Sequence, residues 1–533
     1  MPAVKNAAVC GDFAENDDVR KPRDMLLAIA DDFPMDMDRT ACYRAISTRD
    51  ARFDGRLFVG VKTTGIYCRP ICPARTPKFE NVSFYASAAA AQEAGFRPCL
   101  RCRPEVSPEL AFWRGSSNTV SRALALIESG GLDGDDVEGL ANRLGVGARQ
   151  LRRLFRQHVG ASPIAAAQTR RVLLAKQLIH ETSLPMAEVA LASGFNSVRR
   201  FNETFRDLFG RPPAALRRGR EKTRREAGAL SVRLPYRPPY DWEAMLSFLG
   251  ARAIPGVEVV NGDNYRRTIA IGANHGVISV TPAAKNRIDV RVRFPDMAAL
   301  PPIIARVRRV FDLAADPDTI GVHLAQDPTL APLVAARPGL RVPGAWDGFE
   351  LAVRAVFGQQ ITVPAATRLL GKLVQAFGDP LPAAMKESEG LSHLFPPVAR
   401  IAAADLTTLG MPGARAMAVT SLARAISADP AIFSRGASLE DAIVKLRSLP
   451  GIGEWTAQYI AMRELREPDA FPAADVGLLR AMADDGGRRP SPSEVLARSE
   501  RWRPWRAYAA LHLWAAGVPQ QASSGKIDER EAA

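Results

Sequence analysis

Four cysteines in the N-terminal part of the chain constrain its fold most. Cys68, Cys72, Cys99 and Cys102 follow the spacing C-x3-C-x26-C-x2-C. Two close pairs of thiols, each on its own turn and separated by a stretch long enough to fold back, can close a tetrahedral four-thiolate site around one zinc ion. The spacing predicts a zinc-bound domain. By itself it does not distinguish a structural zinc ribbon from a reactive centre.

The residues around these cysteines form a more specific pattern. The first pair lies in V-K-T-T-G-I-Y-C-R-P-I-C-P-A-R-T-P and the second in A-G-F-R-P-C-L-R-C-R-P. Both segments resemble the N-terminal domain of the Ada family. The resemblance implies that Cys68 accepts a methyl group from a methylphosphotriester in the DNA backbone. It also implies phosphate contacts by four residues, Thr64, Arg75, Arg97 and Arg101. The alternative is that these are ordinary solvated side chains.

A zinc-bound cysteine suits methyl transfer for chemical reasons. The thiolate is the nucleophile, a free thiol has a pKa of ~8.5, and zinc keeps a coordinating thiol deprotonated at neutral pH. No separate general base is needed. A four-thiolate zinc centre is negatively charged and repels phosphate, and methylation of Cys68 removes one negative charge. We therefore expect methylation to raise the affinity for DNA and so to switch on promoter binding.

Composition agrees with a DNA-binding protein. A chain of 533 residues is long enough for several domains, and its net charge of +14 favours a polyanionic partner. Apart from the four proposed zinc ligands, the chain has only Cys10 and Cys42, which do not suggest a framework of disulfide bonds. This indicates a reducing compartment. No apolar run approaches the ~20 residues of a membrane span, and no signal-peptide core is visible. We expect a cytoplasmic, nucleoid-associated bacterial protein that does not contact the membrane.

Two similar helical segments follow within residues 115–218. Each has an apolar helix, a turn near Gly145 or Gly194, and a basic helix, at residues 148–158 and 198–209. The pair resembles the DNA-binding module of the AraC family, which would place one recognition helix per unit in the major groove. Contacts with bases or phosphates are predicted for Arg149, Arg152, Arg199 and Arg200.

A basic polar run at residues 217–228 separates the two halves of the chain. It is either a solvated connector or a segment that follows the DNA backbone. In the best-known Ada layout the next domain repairs O6-methylguanine with a cysteine. Because no cysteine occurs after Cys102, that activity is excluded.

The next segment alternates apolar and charged residues. Strands are predicted at residues 265–271, 277–281 and 287–294, with a turn at 274–276 between the first two. A helix at residues 300–311 follows, so that the pattern indicates an antiparallel sheet flanked by helices. This segment resembles the N-terminal subdomain of AlkA-type DNA glycosylases.

The sequence L-P-G-I-G at residues 449–453 lies between two helical stretches and is typical of a helix-hairpin-helix. Gly451 and Gly453 allow the tight turn and let backbone N–H groups approach a phosphate. Asp475 completes the pattern of the helix-hairpin-helix glycosylases, a resemblance that implies a catalytic carboxylate. The alternative role, the N-cap of the following helix, is compatible with catalysis because the helix start favours a negative charge.

The residue types match the removal of a cationic base. Cleavage of an N-glycosidic bond builds positive charge on the sugar, which a carboxylate stabilises. Trp455 and Trp514 match the base-pocket tryptophans of the family, where a flipped cationic purine stacks on indole; a core role is the alternative for Trp514. Relatives that also cut the backbone have lysine at position 455, so we predict base removal without strand cleavage. DNA contacts are predicted for Gln359 and Gln360. After the Gly358-Gln359 pair, Gln360 occupies the place of the residue that fills the gap left by the flipped base, although glutamine intercalates less well than an apolar wedge.

We interpret the chain as a multidomain α+β protein that responds to alkylation damage. It combines a small zinc-bound Ada-type domain, an all-α double helix-turn-helix, an α+β subdomain and an all-α helix-hairpin-helix glycosylase domain. The expected cofactor is one zinc ion with four cysteine ligands, and the expected partners are alkylated and promoter DNA and RNA polymerase. The competing hypotheses are a regulator whose glycosylase-like half is only a DNA clamp, and a structural zinc ribbon attached to a repair enzyme. The predicted boundaries are 1–44 (leader), 45–110, 115–218, 219–231 (basic linker), 232–345, 346–520 and 521–533 (tail).

Overall fold

A computed structural model provides the coordinates of the chain. It describes residues 39–107, 118–217, 229–382, 390–429, 438–484 and 486–516, together with Met385, Ile432 and Phe433. Most of the predicted leader, most of the predicted linker and the whole predicted tail lie outside the described residues. In the described ranges, no helix has both the length and the apolar character needed to cross a membrane.

The cysteine-containing region folds around a sheet with the strand order β3-β1-β2-β4. Strand β2 runs antiparallel to β1 and parallel to β4, with Tyr67 opposite Pro98. Cys68 at the end of β2 and Cys99 just after β4 are therefore neighbours. The elements are β1 (Phe58–Val61), β2 (Ile66–Cys68), β3 (Val82–Tyr85), α2 (Ala88–Glu93) and β4 (Arg97–Pro98).

Helix α1 (Arg39–Ser47) begins inside the segment predicted as leader, so that prediction is wrong for residues 39–44. Cys42, Ala45 and Ile46 lie on one face of the helix and are buried against the sheet, in a cluster with Leu57 and Val59. The buried face is only three residues long on a helix that is otherwise polar, so no sustained apolar period marks it in the sequence.

The helix-turn-helix region follows the predicted pattern. The basic helices are α5 and α8, and α6 joins the two units. Gly145 ends α4 in the left-handed conformation, with φ 70°, and the Ser197 hydroxyl accepts the N–H of Arg200 at the start of α8. The elements are α3 (Asn118–Glu128), α4 (Val137–Leu144), α5 (Ala148–Val159), α6 (Pro163–Glu181), α7 (Met186–Ala192) and α8 (Val198–Phe209).

The next region is an antiparallel sheet in the order β5-β9-β8-β7-β6, covered by helices α9 and α10. Val290 and Val292 of β9, which lies between β5 and β8, are fully buried and alternate with charged residues. The elements are β5 (Ala229–Pro235), α9 (Trp242–Ala251), β6 (Glu258–Asn261), β7 (Asn264–Ile271), β8 (Asn274–Ala283), β9 (Arg287–Arg293) and α10 (Leu300–Val310).

Two predictions for this sheet are wrong. The predicted turn at residues 274–276 belongs to β8, and the β7–β8 hairpin turns instead at Gly272, with φ 58°. Gly276 is needed for close packing, because a Cβ there would lie 2.3 Å from the Arg293 carbonyl oxygen. Residues 229–231, predicted as linker, form the start of β5 and pair with β9.

The C-terminal region is helical around one large apolar core. Its hairpin lies between α17 and α18, and α19 begins directly after Asp475. The elements are α11 (Pro317–Leu324), α12 (Ala331–Ala336), α13 (Gly348–Phe357), α14 (Val363–Phe377), α15 (Val398–Ala403), α16 (Gly413–Ala428), α17 (Leu439–Arg447), α18 (Glu454–Arg463), α19 (Val476–Ala481), α20 (Pro492–Ser499) and α21 (Arg506–Ala516).

Buried contacts join the N-terminal and C-terminal halves. Phe205 of α8 and Leu230 of β5 belong to one apolar core. Arg237, only 5% exposed, donates to the backbone carbonyl of Arg52 in the zinc region and pairs with Asp316. Because a buried guanidinium requires partners, the C-terminal half depends on the zinc region for this contact.

A second polar network fastens the sheet to the helical core of the C-terminal half. Glu258 of β6 and Glu350 of α13 pair with Arg267 and Arg354, and all four side chains are largely buried. Burial would raise the pKa of Glu258, but Arg354 and Arg267 outweigh it and lower that pKa to about 2. The network keeps the sheet and α13 in a fixed relation beside the hairpin.

Candidate metal centre and active site

The four predicted zinc ligands converge on one point. The sulfurs of Cys68, Cys72, Cys99 and Cys102 all lie within 4.8 Å of one another. Cys99 and Cys102 are buried, whereas Cys72 and Cys68, which ends β2, are partly exposed. Four thiolates at this separation fit the tetrahedral coordination that zinc prefers. The residues present can hold one zinc ion.

Backbone hydrogen bonds distinguish the sulfurs. The N–H of Arg69 donates to Cys102 Sγ and the N–H of Arg101 to Cys99 Sγ, both at 3.3 Å. Within residues 39–107 the structure gives no such bond to Cys68. An N–H···S bond withdraws charge from sulfur, so Cys68 keeps more available electron pairs than Cys99 or Cys102.

The predicted phosphate contacts surround the cysteines. Thr64 lies in the β1–β2 turn, and the backbone N–H of Arg97 donates to the neighbouring Gly65 carbonyl at 2.9 Å. Arg101 lies between Cys99 and Cys102. Thr64, Arg75 and Arg101 are exposed and Arg97 is half-buried. Three of the four predicted side chains are therefore open to solvent on the segments that carry the cysteines.

The predicted DNA-contacting arginines of the helix-turn-helix units are all exposed. Arg149 and Arg152 lie on α5, and Arg199 and Arg200 lie in the first turn of α8. Arg152 pairs with Glu138 at 2.7 Å and Arg199 with Glu203 at 2.8 Å. Exposed side chains near the start of the second helix are where this motif contacts DNA.

In the C-terminal half, four donors converge on Asp475. Its Oδ1 accepts the backbone N–H of Gly477 at 2.8 Å and of Leu478 at 3.1 Å, which makes it the N-cap of α19. Trp514 Nε1 donates to the same oxygen at 2.9 Å, whereas Trp455 Nε1 donates to Oδ2 at 2.8 Å. The structure thus brings the three predicted residues Trp455, Asp475 and Trp514 together. Oδ2, with one donor, has more free acceptor capacity than Oδ1.

Gly477 makes room for this arrangement. A Cβ at this position would lie 2.9 Å from Asp475 Oδ1 and 3.1 Å from Trp514 Cδ1. Any larger residue would therefore push the indole away from the carboxylate. Gly477 is not among the residues predicted from the sequence, and its place two residues after Asp475 is the signal that could have identified it.

Aromatic and basic residues behind Trp455 were also missed. The Tyr459 ring stacks on Trp455, with centroids 5.2 Å apart, and its hydroxyl accepts from Arg463 at 2.6 Å. Arg463 and Arg252 both lie over the Phe248 ring of α9. Burial opposes ionisation of Tyr459, but Arg463 and Arg252 outweigh it and lower the pKa of the phenol below its usual value. The spacing of four residues between Trp455, Tyr459 and Arg463 puts them on one face of α18 and was the available signal.

One of the two predicted glutamines, Gln359, is hydrogen-bonded to the hairpin. Gly451 has φ 78°, and a Cβ on it would lie 2.5 Å from the Ala418 Cβ. Gln359 Nε2 donates to the Gly451 carbonyl at 2.8 Å, so its amide holds the hairpin. Gln360 is exposed with φ 59°, and Gly453 precedes α18 as its N-cap residue. Of the two glutamines, only Gln360 projects into solvent beside the hairpin.

Comparisons with known proteins cover nearly all of the chain. The Metal binding domain of Ada matches residues 41–105, a Helix-turn-helix domain 140–219, the AlkA N-terminal domain 231–347, and the HhH-GPD superfamily base excision DNA repair protein 353–507. A "Probable bifunctional transcriptional activator/DNA repair enzyme AlkA" of Mycobacterium tuberculosis is 43% identical over 481 residues, 90% of this chain and 96% of the relative.

Two shorter relatives each match one part of the chain. DNA-3-methyladenine glycosylase 2 of Escherichia coli is 36% identical over 289 residues, 53% of this chain and 95% of the relative. The Bifunctional transcriptional activator/DNA repair enzyme Ada of the same species is 38% identical over 129 residues, 24% of this chain and 35% of the relative. This chain belongs to the family of bifunctional transcriptional activator/DNA repair enzymes in which an Ada-type zinc domain and helix-turn-helix module are fused to an AlkA-type helix-hairpin-helix glycosylase.

Proposed function

We propose that Cys68 accepts methyl groups from DNA methylphosphotriesters and that Asp475 serves the excision of alkylated purines such as 3-methyladenine. The observation that carries the proposal is the pair of opposite environments around these residues. The Cys68 sulfur is partly exposed and receives no backbone N–H bond from residues 39–107, whereas the Asp475 carboxylate accepts four donors.

In the first reaction, the Cys68 sulfur attacks the methyl carbon of the phosphotriester. A new S–C bond forms, the C–O bond breaks, and the electron pair stays on oxygen, which leaves an ordinary phosphodiester anion. Bound zinc would supply thiolates rather than thiols at neutral pH. Thr64, Arg75, Arg97 and Arg101 hold the phosphate beside Cys68 through hydrogen bonds and charge.

In the second reaction, a cationic purine flipped out of the duplex stacks on the indoles of Trp455 and Trp514. As the N-glycosidic bond breaks, its electron pair leaves with the base and positive charge grows on the sugar. Asp475 stabilises that charge through Oδ2, the oxygen with free acceptor capacity, and guides the attacking water. Trp455 stands where a lysine would form a covalent link to the sugar, so the backbone stays intact.

The two DNA-binding elements serve different targets in this proposal. Arg149, Arg152, Arg199 and Arg200 bind promoter DNA, and Gly451 and Gly453 hold the backbone of damaged DNA while Gln360 fills the space of the flipped base. Methylation of Cys68 removes negative charge, strengthens promoter binding and recruits RNA polymerase. The net charge of +14 supports association with the bacterial nucleoid.

The decisive experiment measures 3-methyladenine release from methylated duplex DNA by the intact protein and by Asp475→Asn. We expect the substitution, which keeps the side-chain shape, to reduce release by about 10²–10³-fold. No release by either protein would favour a transcription regulator whose C-terminal half only clamps DNA, whereas equal release by both would contradict the role of Asp475.

A second experiment tests the methyl acceptor. After incubation with DNA that contains methylphosphotriesters, the peptide with Cys68 should gain the mass of one methyl group, and the protein should bind its promoter more tightly. An unmethylated Cys68 would favour a structural zinc ribbon. Equal promoter binding before and after methylation would contradict the switch.

A further inference from the structure

A lysine of the helix-turn-helix module reaches the metal centre. Lys176 lies on α6, and its side chain is 0% exposed. Its Nζ donates to the backbone carbonyl of Cys99 at 2.9 Å and to the carboxylate of Glu105. Cys99 is a zinc ligand, so a residue 77 positions away in the sequence contacts the second cysteine pair directly.

Lys176 belongs to a cluster of ion-paired side chains. Glu105 also accepts from Arg103 Nε at 2.9 Å, and Arg103 donates through a second nitrogen to Glu181 at 3.1 Å, on the same helix α6 as Lys176. Glu105 has a side chain only 1% exposed. A buried lysine is costly unless it is paired and hydrogen-bonded, and here both conditions are met at the metal centre.

We propose that Lys176 is a positioning residue for the methyl acceptor: it fixes the Cys99–Cys102 turn through the Cys99 carbonyl and places a positive charge beside the negative thiolate cluster. The proposal rests on the function proposed above for Cys68. It assigns part of the metal centre to the helix-turn-helix module rather than to the zinc domain alone. Groups that hydrogen-bond to the ligand shell commonly change metal affinity about 10–100-fold when they are removed.

The position of α6 gives the contact a second consequence. This helix joins the two units that carry the DNA-contacting helices α5 and α8. Transfer of a methyl group to Cys68 removes one negative charge from the cluster that faces Lys176. The attraction between the cluster and α6 therefore weakens at the moment when promoter binding is required.

The test uses the full chain with Lys176→Met, which removes the ammonium but keeps the apolar stem. Removal of a positive charge leaves the thiolates richer in electrons. We expect the sulfur-to-cobalt charge-transfer band of the Co²⁺-substituted protein to move to longer wavelength. We also expect zinc to pass to a chromogenic chelator about tenfold faster. An unchanged band and an unchanged release rate would overturn the proposal.

Two controls separate this role from general destabilisation. Lys372→Met removes an exposed lysine on α14 and should change neither readout. The double variant Lys176→Met/Glu105→Gln removes both buried charges and keeps the site neutral, so it serves if the single variant does not fold. The double variant still lacks the donor to the Cys99 carbonyl, so a wild-type zinc-release rate in the folded double variant would also overturn the proposal. If the wild-type protein accepts no methyl groups while the band of Lys176→Met is shifted, the function proposed for Cys68 is contradicted. The role of Lys176 at the metal centre is then still supported.

Discussion

The two groups proposed to react, Asp475 and Cys68, differ in the number of hydrogen-bond donors around them. Asp475 accepts four N–H bonds, two from the start of α19 and two from indoles. Among residues 39–107, no backbone N–H is directed at Cys68, although Cys99 and Cys102 each receive one. A sulfur that forms a bond to carbon needs available electron pairs, whereas a carboxylate that stabilises a cation needs a fixed position and a stable charge. The donors around each group therefore indicate which of the two acts as a nucleophile.

Removal of the metal should have the largest effect, and it should separate the two centres. The buried clusters of the zinc region are small, while the C-terminal core is extensive. Zinc binding by four-ligand sites has an apparent free energy of about 10–16 kcal/mol, so the zinc region depends on it. We expect chelation to unfold that region and to abolish methyl transfer, with 3-methyladenine release retained. Parallel assays of both activities would check this, and a parallel loss of base release would show that the centres are not independent.

The next effect concerns the donors to Asp475. Of the donors that the described residues supply, Trp455→Phe removes the one to Oδ2, and Trp514→Phe removes one of three to Oδ1. Both changes keep an aromatic ring for stacking. A lost hydrogen bond to a charged group costs about 1.5–3 kcal/mol, so we expect base release by Trp455→Phe to fall by about tenfold or more. Trp514→Phe should lose less, and single-turnover release rates would show whether the order is reversed.

The junction between the halves supplies a third prediction. Arg237→Ala removes the donor to the Arg52 carbonyl and one partner of Asp316, which keeps Arg56 and Thr319. A lost hydrogen bond to a charged group costs about 1.5–3 kcal/mol, and we expect the free energy of unfolding to fall by that amount. Urea unfolding should detect this loss in the intact protein. Arg233→Ala, which removes a half-exposed arginine of β5 paired with Asp289, is the control and should have little effect. Equal stability of the two variants would mean that the junction contributes little.

The smallest effect is expected at the hairpin. Gln360→Leu should place a better wedge into the gap left by the flipped base and raise the affinity for duplexes with an abasic-site analogue by a few-fold, roughly 1 kcal/mol. Gln359→Leu should lower it, because the Gln359 amide holds the Gly451 carbonyl. Binding titrations of the two variants would distinguish them, and weaker binding by Gln360→Leu would argue against a wedge at this position.

Local patterns predicted much of the fold. The helices α5 and α8, the N-cap Ser197 and the turn at Gly145 follow from short-range rules, since each depends on residues within a few positions. The errors arose where distant residues decide the structure. Gly276 looks like a turn residue, yet it lies in β8. The strand needs a glycine at this position because the backbone of Arg293 leaves no space for a side chain.

The sequence by itself determined the zinc ligands, the two DNA-binding modules and the identity of Cys68, Asp475, Trp455 and Trp514 as candidates. Those features reside in short motifs whose spacing is tied to turns and helices. Only the tertiary structure decided that indoles 20 and 39 residues away donate to the Asp475 carboxylate, and that Lys176 of another module contacts Cys99. The reason is physical: hydrogen bonds and buried charges act over a few ångströms, and only the folded chain brings such distant residues within that range.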